Sequence, residues 1–313
     1  MKLIVKSDKS SNHTRPPQPH TVAHPIEMFT GPLFAVKPDE CEFIHGTAFI
    51  IAPGYALTAT HVWEDYLKII EKRKLHETLK PGAKLNFMLM LRIDLPSGDS
   101  VHFSIERIQF HLKGDISVLE IIAQEGFDWS ILAPYPTLRL NPPHVNESIY
   151  AYGFPNSSVE IEADGRKGFH VWTHLSAGTV NEVHETHRDK ILLKFPCYQV
   201  DALLLGGMSG GPITDSQGNI CGVIASSHTL EIIGDESPIG YASTLWPILG
   251  VCLEQPLGKK KYQYPRLIRL FRTKVIKSID IDHFELICDP EDFRLFLSNK
   301  NNESRIIQLG LAE

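Results

Sequence analysis

No run of apolar residues in this sequence approaches the roughly 20 that a helix needs to cross a bilayer, so no membrane partner is expected. The stretch from Met1 to Ser11 has Lys2 and Lys6 but lacks the apolar core of a secretory signal. Cysteine is scarce. The five residues Cys41, Cys197, Cys221, Cys252 and Cys288 are odd in number and include no Cys-x-x-Cys spacing. That argues against a disulfide framework and a structural zinc site, and for reduced thiols in the cytoplasm. Excess positive charge is also missing: the net charge of −6 gives no global drive toward nucleic acid. What remains is 42% hydrophobic and 22% charged, an ordinary globular composition with enough chain for a sizeable core.

Residues 1–26 are polar and hold Pro16, Pro17, Pro19 and Pro25, which reads as a flexible or loosely docked extension. From Ile26 the texture changes. Short apolar or β-branched runs alternate with turn residues at intervals of roughly ten, the pattern of a sandwich or barrel. These runs cover 32–36, 42–52, 55–58, 84–92, 100–110, 116–122, 148–152, 178–184, 190–200 and 220–226. Pro53-Gly54 predicts a tight turn, and Leu67, Ile69, Ile70, Leu75 and Leu79 predict one helix over 62–79. Beyond about Leu253 the composition shifts again. Residues 255–279 contain no acidic residue but carry Lys259, Lys260, Lys261, Arg266, Arg269, Arg272, Lys274 and Lys277. This predicts a small helix-plus-strand module whose apolar residues, Leu267, Ile268, Leu270 and Phe271 among them, pack against the rest of the chain or a partner.

Gly206-Gly207-Met208-Ser209-Gly210-Gly211-Pro212 suits neither a helix nor a strand interior, because glycine is entropically costly in both. It does suit backbone that must approach a substrate closely. Ser209 is therefore a candidate nucleophile, with the N–H groups of Gly207 and Ser209 as candidate oxyanion donors. Upstream, two strand-like runs meet at Pro53-Gly54, and the second ends at His61, a side chain able to accept a proton near neutral pH. Such a base needs an orienting carboxylate. Asp115, opening the apolar run Ile116-Ser117-Val118-Leu119, is preferred over Asp128, which leads into a proline-rich loop. Gly207-x-Ser209-x-Gly211 also fits an α/β-hydrolase elbow, but that fold needs its aspartate and histidine after the serine. The order His61, Asp115, Ser209 excludes it.

Three blocks, Leu57-Thr58-Ala59-Thr60-His61-Val62, Asp115-Ile116-Ser117-Val118-Leu119 and Gly207-Met208-Ser209-Gly210-Gly211-Pro212, together resemble the chymotrypsin/trypsin-like serine peptidases. The likeness is to the single-chain bacterial and organellar branch rather than to the secreted digestive enzymes, and it spans about residues 27–253. It implies an all-β fold of two antiparallel β-barrels, about 27–135 and 136–253, followed by a short C-terminal α+β extension over 254–313. It further implies a serine endopeptidase acting on protein or peptide substrates, with His61, Asp115 and Ser209 as the triad and no cofactor. In secreted members an aspartate precedes the nucleophile and pairs with a freshly cut N-terminus. Here Met208 stands there, so control is expected from elsewhere. By the resemblance Leu203 floors the substrate pocket and disfavours a basic residue, while Ala225, Ser226 and His228 line it, His228 favouring an acidic one. An alternative is a catalytically silent or latent peptidase-fold binding protein governed by a partner. Residues 254–313 are the expected docking segment for a regulatory protein. The Lys259–Lys261 run reads as a solvated basic face rather than a nucleic-acid site, and His170, His174, His184 and His187 as polar residues of a hairpin rather than a metal site.

Overall fold

The computed structural model describes residues 4–7, 25–36, 41–71, 88–95, 99–110, 114–161, 167–229, 238–251, 253, 266–288, 294–300 and 302–311. Within the N-terminal extension, Ile4–Ser7 forms a short strand, β1. Six strands then close on themselves: β2 (Thr30–Val36), β3 (Cys41–Ala52), β4 (Tyr55–Thr58), β5 (Met88–Asp94), β6 (Ser100–Phe110) and β7 (Ser117–Ile122). Their order is β2-β3-β4-β7-β6-β5, every pair antiparallel. Closure leaves no unpaired edge, and the apolar runs seen in the sequence turn Leu33, Phe49, Leu57, Leu91, Phe103 and Val118 into one core.

One helix, α1 (Thr60–Glu71), follows β4 directly. Val62, Trp63, Tyr66 and Leu67 are buried while Asp65 and Lys68 face water, the spacing of a one-faced helix. The sequence predicts this helix over 62–79. It starts two residues earlier, and 72–79 lie outside the described residues.

The second barrel begins after β8 (Thr137–Leu138) and contains β9 (Ser148–Gly153), β12 (His174–His184), β13 (Cys197–Val200), β14 (Pro212–Asp215), β15 (Ile220–Thr229) and β16 (Pro238–Thr244). The ring runs β14-β9-β12-β13-β16-β15 and returns to β14, again antiparallel throughout. Between β9 and β12 a hairpin, β10 (Ser158–Ile161) and β11 (Lys167–Val171), forms a sheet separate from the barrel. β1 pairs in parallel with β11. The strand predicted over 190–200 is shorter than expected. Asp189 accepts the N–H groups of Ile191 (2.8 Å) and Leu192 (2.6 Å), so a side-chain turn replaces ladder pairing there.

The C-terminal segment supplies α2 (Ile268–Arg272), β17 (Lys277–Ser278) and an antiparallel meander of β18 (Phe284–Cys288), β19 (Arg294–Asn299) and β20 (Asn302–Leu311). Its apolar residues pack on the peptide chain itself. Leu267, Ile268, Phe271, Ile276 and Phe284 join the same cluster as Trp246 and Leu138, and Phe284 stacks on Trp246 at 6.3 Å between ring centroids. β17 extends the sheet by pairing in parallel with β8. The buried Asp280 accepts the N–H groups of Leu140 (2.9 Å) and Asn141 (2.8 Å), in the stretch joining the two barrels. Of the basic run, 254–265 lie outside the described residues. No described helix is long and apolar enough to cross a membrane.

Candidate active site

β4 and β7 are neighbours in the first barrel, with Thr58 opposite Ser117. The residues just beyond each strand are thereby brought together: His61, three past Thr58, and Asp115, two before Ser117. The sequence places His61 at a strand exit; it lies instead in the first turn of α1. The helix is pinned there by the Thr60 and Ser117 hydroxyls, 3.0 Å apart and buried. Asp115 holds His61 through both oxygens. Oδ1 accepts the His61 backbone N–H at 2.9 Å, and Oδ2 lies 2.7 Å from the ring Nδ1. The aspartate side chain is 11% exposed and the imidazole 31%, so the carboxylate is well shielded and the ring keeps more access to solvent.

Asp128, the rival carboxylate, is occupied elsewhere. It accepts the N–H of Ser130 at 2.9 Å and caps the short 3-10 turn Trp129–Leu132. Burial is the largest influence on His61 and disfavours the imidazolium. The hydrogen bond and charge of Asp115, helped by Asp65 and Glu64 on α1, outweigh it, and the imidazole pKa lies above its ordinary value.

The glycine-rich stretch comes from the second barrel, between β13 and β14. The Met208 N–H donates to the Leu205 carbonyl at 3.1 Å, closing a turn whose third residue is Gly207 at φ +93°. A side chain at that φ is strained, which accounts for the glycine. Met208 is fully buried, and its sulfur accepts the Leu205 N–H at 3.3 Å. Among the described residues no protein acceptor takes the N–H groups of Gly207 and Ser209.

The loop is fastened to the first barrel. Thr47 N–H donates to the Ser209 carbonyl at 2.8 Å, and Thr47 Oγ1 donates to the Gly207 carbonyl at 2.9 Å. Gly210 packs so tightly that an added Cβ would lie 2.2 Å from Thr58 Oγ1 and 2.9 Å from the Ala59 nitrogen. Ser209 thus lies next to the stretch leading into His61. Sequence reasoning missed Thr47. Its signal was a polar residue opening the otherwise apolar run Ala48-Phe49-Ile50-Ile51-Ala52.

With the barrels, the paired His61 and Asp115, and the docked Ser209 loop in view, family comparison is decisive. The trypsin-like peptidase domain matches residues 46–223, more than half of the chain. The chain belongs to the trypsin-like peptidase domain family. Among solved structures, this trypsin-like chain is 17% identical to the active form of the Rv3671c protease from M. tuberculosis, with a TM-score of 0.46, covering 82% of this chain and 92% of that one. The inactive form of the same protease gives 15% and 0.43, covering 75% and 94%. Deg5 gives 19% and 0.43, covering 64% and 80%. A search of curated proteins gives no sequence match.

Of the remaining site candidates, Leu203 is 41% exposed, whereas Ala225 is buried and Ser226 half-buried. Ala225 falls at a shift in the β15–β16 register, between Ile224 and Ser226. The His228 backbone pairs with Ile239 on β16, and its side chain lies outside the described residues. The four clustered histidines are spread out. His170 is on β11, His184 is ten residues along β12 from His174, about 33 Å of extended strand, and His187 is beyond it. Cys197 and Cys221 are buried free thiols, and burial pushes each up to about 12.

Proposed function

We propose that the chain is a serine endopeptidase in which His61, Asp115 and Ser209 form the triad. The observation that carries this reading is the two-point grip of Asp115 on His61, beside a serine loop fastened to the same barrel. Asp115 holds the proton on Nδ1, leaving the other ring nitrogen free to accept one. Ser209 Oγ attacks the substrate carbonyl as His61 takes its proton. The N–H groups of Gly207 and Ser209 receive the oxyanion, a contribution of roughly 3–4 kcal/mol per donor in comparable sites. His61 then protonates the departing amine, and water releases the acyl group by the reverse sequence.

The substrate pocket is proposed to involve Leu203, Ala225, Ser226 and His228. Leu203 at its floor supplies no carboxylate to neutralise a basic side chain, and the nearby Asp201 carboxylate is taken up by Thr179. Residues 254–313 are proposed to act within the chain, with binding of a regulatory protein as an additional use of that surface.

The test is labelling with a fluorophosphonate probe, beside Ser209→Ala and His61→Ala. Labelling of the wild type alone is expected; labelling that persists in Ser209→Ala would reject Ser209 as the nucleophile. No labelling and no peptide cleavage by the wild type would favour the silent-scaffold alternative. On the same preparation, a P1-varied peptide library is expected to show weak turnover after Lys and Arg. Preferred cleavage after either would refute the assignment of Leu203.

A further inference from the structure

Thr47 is fully buried on β3, and each of its polar groups is engaged by the serine loop or by the strands beside it. Its N–H donates to the Ser209 carbonyl at 2.8 Å. Its hydroxyl donates to the Gly207 carbonyl at 2.9 Å and accepts the N–H of Phe154 at 3.1 Å. Its carbonyl accepts the Thr58 hydroxyl at 2.6 Å, tying it to the strand that leads into His61. Valine would fill nearly the same volume, so packing does not demand a hydroxyl here. Burying a hydroxyl is costly unless it is fully used, and this one both donates and accepts.

We infer that Thr47 is a positioning residue for the proposed reaction, its hydroxyl holding Gly207 so that the two oxyanion donors stay in register. This inference rests on the serine-peptidase reading above. Gly207 has no side chain with which to fix its own peptide planes, and φ +93° is a conformation glycine readily leaves. Oxyanion donors contribute only when they are aimed before the charge develops. Thr47 grips the loop at Gly207 and again at Ser209, two residues apart, and splints the peptide groups between them. Its third bond reaches Phe154, whose carbonyl lies 2.8 Å from the place a Gly207 Cβ would occupy. The Thr47 side chain therefore joins the loop to the segment beneath it, while its backbone carbonyl ties the same residue to the strand leading to the base.

The test compares Thr47→Val, Thr47→Ser and Thr47→Cys in the full chain, measuring kcat, KM and thermal midpoint on a peptide that the wild type cleaves. Thr47→Val is expected to lower kcat on the order of ten- to a hundredfold with KM little changed, the scale of a small misplacement at a reacting centre. Thr47→Ser keeps the hydroxyl and is expected to recover kcat to within a few fold. Thr47→Cys, with its weak S–H donor, is expected to fall between them, and it replaces Thr47→Val should that chain fail to fold. An unchanged kcat in Thr47→Val, or equal losses in Thr47→Val and Thr47→Ser, would overturn the inference. A wild type that neither labels nor cleaves would overturn the peptidase reading instead, before any change at Thr47.

Discussion

His61 and Asp115 link activity and stability to pH in opposite senses. The pair raises the imidazole pKa against the opposing effect of burial. A general base works neutral, so kcat/KM is expected to fall in acid through a value above the usual 6.5 or so. The stability term runs the other way. A raised folded pKa gives stabilisation that is complete below the unfolded value and lost as pH rises through the folded one. Asp115→Asn removes the charge and leaves burial in control. Its acid limb is expected at lower pH than the wild type's, with kcat down on the order of 10⁴-fold. A pH–rate profile of the two chains checks both points; an unmoved limb would count against Asp115 as the dominant partner.

The candidate residues of this site could be picked out in sequence because each sits in a short local pattern: a serine among glycines, a histidine after a strand, an aspartate before one. Thr47 left one local trace, a polar residue heading an apolar run, but its contacts were not legible, because its partners Gly207 and Phe154 lie 160 and 107 residues away.

At the scale of elements, strand alternation and turn residues revealed most of both barrels, because a period of two survives in any half-buried strand. That the strands form two barrels was implied by family likeness rather than by periodicity. The short elements β8 and β17 were invisible, since two residues carry no period. What holds them is side-chain chemistry. Asp280 accepts from Leu140 N–H, Asn141 N–H, the Asn141 side-chain amide and the Ser278 hydroxyl, all within 2.9 Å. Asp280→Ala would strand buried donors, each costing about 1–3 kcal/mol. A loss on the order of 3 kcal/mol is therefore expected in denaturant unfolding, with m unchanged if the transition stays two-state. A loss below about 0.5 kcal/mol would mean that β17 and the meander are only loosely attached.

At the scale of the whole molecule, each barrel contributes one side of the proposed chemistry, so the angle between them matters more than the stability of either. The first barrel's apolar cluster continues through Leu138 and Leu140 to Trp246, Phe271 and Phe284, while the second barrel keeps a separate core around Val180, Tyr198 and Ile213. The C-terminal segment is built into the first of these clusters, and it clamps the stretch that joins the barrels. A partner acting on that segment would bear directly on barrel geometry.

The bond from Leu140 to Asp280 spans 140 positions in the chain, and that from Asn299 to Asn141 spans 158. Synthesis at 5–20 residues per second delivers those partners roughly 7–30 seconds apart. Both barrels can exist while their joint is still unclamped only in the last part of that interval, once Thr244 has completed the second barrel. Translation itself then acts as a clock, and a nascent chain has the joint between its barrels fully clamped only after Asn299 has emerged.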